Sequence, residues 1–143
     1  MAAKGLTFDN DLLKLIFNAT AISLLADNTA TTPLTSLFLS LHTANPGVGG
    51  SQTTSEAAYT GYARATVARS AGGFTVAGAV VTLTAAVSFP AATAGSETEA
   101  WFAVGTAVSG VGKILYTGAI SPSIIVSAGV TPQLTAASSI TES

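Results

Sequence analysis

One histidine, seven carboxylates, three tyrosines and no cysteine are what this 143-residue chain offers for proton transfer, metal binding or nucleophilic attack. His42 closes the alternating run Leu37-Phe38-Leu39-Ser40-Leu41-His42. There it shares a face with Phe38 and Ser40, opposite the three leucines. A catalytic histidine needs a nucleophile and an orienting carboxylate within hydrogen-bond reach. The nearest carboxylate in sequence is Glu56, in a segment that reads as loop, so His42 is read as structural. Asp9 and Asp11 are two residues apart in a helical pattern and point about 200° away from each other. Glu97 and Glu99 would share one face of an extended chain, but they sit in a Ser/Gly-rich stretch and are read as solvated. Calcium is the only cation that pair suggests. One histidine without cysteine does not make a zinc site, so no metal, cofactor or catalytic residue is predicted. Residues 105–113, GTAVSGVGK, superficially resemble a phosphate loop. Ala107 stands where its first glycine belongs, and Ile114 replaces the hydroxyl residue after Lys113.

Recognition chemistry has one candidate. Tyr59, Tyr62, Arg64 and Trp101 would form a surface aromatic patch if they gathered on one side, and such a patch stacks on sugars. Charge argues against other partners. Only 12 residues are charged, 8% against the roughly 25% usual for soluble domains. The five basic residues, Lys4, Lys14, Arg64, Arg69 and Lys113, form no cluster, which speaks against nucleic acid. Mean hydropathy is high at +0.56. Even so, Thr, Ser, Gly or Asn breaks every apolar run far short of the ~20 residues a spanning helix needs. Asp9 and Asp11 interrupt the place where a signal peptide's apolar region would begin. No membrane partner is expected, and synthesis in a cytosol is.

The elements that must position these residues are legible from periodicity. A single domain, 1–143, is expected: a helical segment over 8–25, then β structure over 36–140. Phe8, Leu12, Leu13, Ile16 and Phe17 recur at spacings of three and four after a potential Thr7 cap, and Asn18 can end the helix. Leu12, Leu13, Ile16 and Phe17 are the expected docking stripe, against the chain's own sheets or a neighbouring subunit. Beyond Pro33 the period becomes two. Strands are expected over 37–43, 62–67, 74–76, 79–84, 87–89, 101–104, 113–117 and 124–126, with a last segment over 132–136. Gly, Pro, Asn and Ser turns separate them, and residues 51–58 and 91–99 read as loop. About eight short strands at this spacing predict a mainly β chain, an antiparallel, jelly-roll-like β-sandwich with one N-terminal α-helix.

Four segments carry a resemblance jointly: Leu37-Phe-Leu-Ser-Leu-His-Thr-Ala-Asn-Pro-Gly47, Ala58-Tyr-Thr-Gly-Tyr-Ala-Arg64, Val87-Ser-Phe-Pro-Ala91 and Lys113-Ile-Leu-Tyr-Thr-Gly-Ala119. In content and order they resemble short virion proteins of tailed bacteriophages, commonly labelled tail-fibre proteins, over roughly residues 8 to 140. Trp101-Phe102 departs from that pattern, which would place a smaller or polar residue there. The resemblance implies a non-enzymatic structural protein of the virion, made in the bacterial host cytoplasm. Its partners would be other copies of itself and major capsid or tail proteins. A tail, collar or fibre component is the first expectation and a capsid decoration protein the second. A carbohydrate-binding module for a host surface glycan is the third.

Overall fold

The computed structural model describes residues 6–22 and 33–142. In chain order the elements are α1 (Leu6–Asn18), β1 (Ser36–His42), β2 (Ala65–Ala68), β3 (Phe74–Ala77), β4 (Val80–Leu83), β5 (Val87–Ser88), β6 (Ser96–Gly105), β7 (Ile114–Ser127), β8 (Gln133–Leu134) and β9 (Ser139–Thr141). The chain is mainly β, its sheets are antiparallel and one helix stands at the N-terminus, a β-sandwich-like fold. Packing contacts gather in two compact units. One holds α1, Val67–Ala85 and the residues from Thr135 onward; the other holds Leu37–Thr66 and Ala86–Leu134.

In the first unit, β3, β4 and β9 form a three-stranded sheet in that order. Gly78 takes a φ of +60°, the left-handed backbone that a two-residue hairpin loop needs at its first position. The apolar stripe of α1 packs on β3 and β4. Leu13 and Phe17 are fully buried and Leu12 and Ile16 half-buried; Phe17 meets Phe74 edge to face, ring centroids 4.8 Å apart. The helix begins at Leu6, one residue before the expected cap. Its left-handed terminal residue is Ala19 (φ 54°) rather than Asn18, and Thr20 N–H returns to Lys14 O at 3.0 Å. Arg69 finishes that end. Its Nε donates to Ile16 O at 2.5 Å and its Nη2 to Leu15 O, placing a cation where the helix dipole is negative. Of the second helical turn expected at Ile22, Leu24 and Leu25, Ile22 is not helical, and the other two lie outside the described residues.

The second unit holds β1 from Leu37 onward, β6 and β7, which lie in that order in a four-stranded sheet whose first strand is β2, and β5 pairs with β8. The register sets Leu39 opposite Val104 and Leu41 opposite Phe102, so the leucines of β1 share their buried face with the large residues of β6. Three expectations change here. Strand β7 runs unbroken through Ser121-Pro122, where a turn was expected. Glu99 pairs with Ile124 and Trp101 with Ala119, so residues 120–123 bulge out of the ladder, and Pro122 sits where no N–H is required. Strand β6 starts at Ser96, inside the expected loop, because Ser96–Glu99 finds a partner in the far half of β7. Arg64 precedes β2 and does not lie in a strand.

Candidate functional site

Ser40 and His42 of β1 do not face solvent. Both are 0% exposed, covered on their face by the segment 51–56. Gln52 anchors that cover. Its N–H donates to Gly112 O, its Nε2 to Phe38 O, and its Oε1 accepts Ala107 N–H, at 2.9, 3.2 and 3.0 Å. A Cβ on Gly105 or Gly112 would overlap the Gln52 amide, so a side chain at either position would push that amide out of its hydrogen bonds.

Beneath this cover, Thr54 O lies 2.9 Å from His42 Nδ1 and Ser40 Oγ 2.9 Å from Nε2. A carbonyl only accepts, so Nδ1 carries the proton and Nε2 accepts the Ser40 hydroxyl proton. Burial lowers the His42 pKa, outweighing the Thr54 bond and Glu56, and favours this neutral form. The order hydroxyl, imidazole, acceptor is that of a base-activated nucleophile. Here a carbonyl replaces the orienting carboxylate, and a reacting atom could reach the hydroxyl only if the segment 51–56 moved away. The pair's direct effect is to satisfy two buried polar side chains.

The carboxylate that sequence proximity offered to His42 is engaged elsewhere. Glu56 receives Arg64 in a two-point clasp, Nε to Oε1 at 2.6 Å and Nη2 to Oε2 at 2.8 Å. Arg64 also donates to Ala107 O and Gly110 O, tying the turn between β6 and β7 to the same point. Tyr62 completes the network: its hydroxyl donates to Glu56 Oε1 at 3.0 Å and accepts Leu41 N–H at 3.1 Å. Burial drives the Tyr62 pKa upward, so the hydroxyl keeps its proton. Tyr62→Phe is expected to cost about 1–3 kcal/mol, because Leu41 N–H and a Glu56 oxygen each lose a partner. Urea denaturation of the two proteins measures it.

The structure brings Tyr59, Tyr62 and Arg64 together, though not as a surface patch. Tyr59 is 3% exposed, and its hydroxyl donates to Pro90 O. The Tyr62 ring meets Tyr59 edge-on at 5.3 Å and stacks on Phe89 at 6.4 Å. Arg64 is buried. Tyr62 is half-buried, so with Tyr59 and Arg64 buried the three present no continuous exposed aromatic face. Trp101 is half-buried and stands opposite His42 in the ladder. The stripe Leu12, Leu13, Ile16 and Phe17 belongs to the other unit.

Glu97 and Glu99, expected to be solvated, are ladder residues. Glu97 Oε1 accepts the N–H groups of Ala58 and Tyr59 at 2.9 and 2.8 Å. Glu99 is 0% exposed, and among the described residues no donor reaches either of its oxygens. Burial is the main cause that pushes its pKa up to about 8. Glu97 adds to this as a like charge and as an acceptor for the proton Glu99 then carries. Asp9 is buried while Asp11 is exposed, in keeping with their opposed directions. Among the described residues no group of three potential metal ligands forms, and no helix is long and apolar enough to cross a membrane.

A family described as podophage GP4 fiber I protein gp80 matches this chain over residues 9–141. No curated protein matches it.

Proposed function

This chain belongs to the podophage GP4 fiber I protein gp80 family and is a phage structural protein; from that premise we propose that it is a non-enzymatic fibre component of a tailed-phage virion, present in several copies. The family match, which spans all but the ends of the chain, carries this reading. The use of charge supports it. Arg64 and Glu56 neutralise each other inside, Arg69 caps a helix, and Glu97 and Glu99 hold or line a buried ladder. What remains outside is mostly Thr, Ser, Ala and Gly, a surface suited to lying against neighbours. Multivalency would let weak contacts between copies add up. The fibre reading ranks above head decoration because the family description names a fibre. It ranks above glycan binding because Tyr59 and Arg64 are buried.

Immunogold labelling of intact particles with an antibody against this chain tests the proposal. Gold on fibres is expected. Gold spread over the head lattice would transfer the chain to decoration, and purified particles lacking the chain would overturn a virion role altogether.

A further inference from the structure

Two carboxyl groups meet on one face of β6, and one of them holds a neighbouring segment in place. Glu97 and Glu99 are two residues apart on a strand, so both side chains leave the sheet on the same side. Their partners across the ladder are Val126 and Ile124, whose side chains offer a carboxyl group no hydrogen bond. Glu99 is 0% exposed, and among the described residues no donor reaches its oxygens. Glu97 is half-buried and uses Oε1 to accept the N–H groups of Ala58 and Tyr59.

On either side of that hold the backbone is fixed by bonds that contain no titratable group. Ala57 N–H donates to Leu41 O at 2.8 Å and Thr60 N–H to Ala94 O at 3.0 Å, and the Tyr59 hydroxyl stays on Pro90 O. The N–H groups of Ala58 and Tyr59 differ, because their acceptor is a side chain with a second carboxyl group beside it. Two carboxyl groups sharing one site cannot both ionise without cost. With a proton on Glu99 the pair is joined by a hydrogen bond; burial, and then Glu97, keep that proton in place up to about pH 8. Without it, two like charges face each other, and Glu99 has no access to water. Glu97, which reaches solvent, is the one that can withdraw.

We propose that Glu99 is a proton-operated latch: losing its proton drives Glu97 outward and frees the Ala58 and Tyr59 N–H groups, while the bonds on either side hold. Few titratable or charged groups face Glu99. Its own strand contributes Glu97, and the segment 57–62 contributes Tyr59, whose hydroxyl stays neutral. Strand β7 contributes Ile124 and Val126, and Arg64 is committed to Glu56. The opening therefore follows a single proton. Residues 58–59 lie just beyond the cover over Ser40 and His42, so the latch makes the far end of that cover responsive to mildly alkaline pH. This inference goes beyond the fibre assignment and does not depend on it.

Solvent exchange of backbone N–H groups, followed by NMR on the whole chain and corrected for the intrinsic rate at each pH, tests the latch. Between pH 7 and pH 9 the protection of Ala58 and Tyr59 is expected to fall about tenfold, in step with the protonated fraction of Glu99. Val104, inside the four-stranded sheet, is expected to keep its protection. Glu99→Gln is expected to hold both groups protected at either pH, because its amide donates to Glu97 without a titrating proton. Glu97→Ala is expected to expose them already at pH 7. Equal protection of the wild type at pH 7 and pH 9 overturns the proposal. So does a Glu99→Gln variant that loses protection as the wild type does, or a Glu97→Ala variant that keeps it. Loss at Val104 in step with Ala58 and Tyr59 also overturns it, since that is unfolding of the unit and not a latch. None of these results touches the fibre assignment, which the gold labelling decides.

Discussion

Thermal stability is expected to fall from about pH 6.5 to about pH 8, and Glu99→Gln is expected to remove most of that fall. In the unfolded chain Glu99 ionises near its ordinary 4.5; in the folded chain it holds its proton to about 8. Between those values the folded state binds more protons than the unfolded state, so stability decreases as pH rises. The stabilising effect is fully present below the unfolded pKa and is spent once pH passes the folded one. A difference of this size corresponds to as much as about 5 kcal/mol, or a melting shift on the order of 10 °C for a chain of this length. His42, whose pKa burial lowers, acts in the opposite sense below about pH 6.5, so the fall above that value reports Glu99. The Tyr59 hydroxyl, pushed up to about 12 by burial and then by the two glutamates, stays neutral throughout. A glutamine at 99 offers Glu97 an N–H without needing a proton. Melts of both proteins at pH 5, 6, 7 and 8 decide the matter. Parallel pH profiles would show that Glu99 does not carry the dependence.

The second large effect is expected at Arg64. Arg64→Met should lower stability by about 3–5 kcal/mol, the usual result of removing one partner from a buried ion pair. The loss is concentrated in what stays behind. The Glu56 carboxylate keeps only the Tyr62 hydroxyl, and the Ala107 and Gly110 carbonyls lose a charged donor. Adding Glu56→Gln should recover part of the loss, because the stranded charge disappears with it. Urea titrations of the two single variants and the double variant form a cycle that isolates the pair. A stability for Arg64→Met within 1 kcal/mol of wild type would mean that this clasp contributes nothing net.

Local chemistry explains what the sequence makes legible. The spacing of Leu12, Leu13, Ile16 and Phe17 defines a helix face whatever it packs on, and alternation in 37–42 defines a strand. Both signals are carried within a dozen residues. The polar cluster is not local. Ser40 and His42 alternate with leucines as solvent-facing residues do, and only the return of 51–56 over them makes that face an interior. Glu56 and Arg64 carried a usable hint, opposite charges eight residues apart in a chain with few charges. Nothing in either segment shows that their side chains turn toward one another. Glu99 misleads for the same reason. Ser96–Glu99 looks like loop until the long β7 supplies a partner across 25 or more residues. Pro122 reads as punctuation in the sequence, although a strand can absorb a proline where its ladder already slips.

Gln52 and the two glycines beneath it also constrain how this chain can drift over generations. A side chain at 105 or 112 would displace the Gln52 amide, because the space it would occupy is filled. Shortening residue 52 first would free that space but strand Ala107 N–H and Phe38 O. Each single step is costly and only a joint change is smooth, so the three positions behave as one heritable character. Among relatives of this chain, the glycines are expected to come and go together, in step with a long amide at the position that covers them.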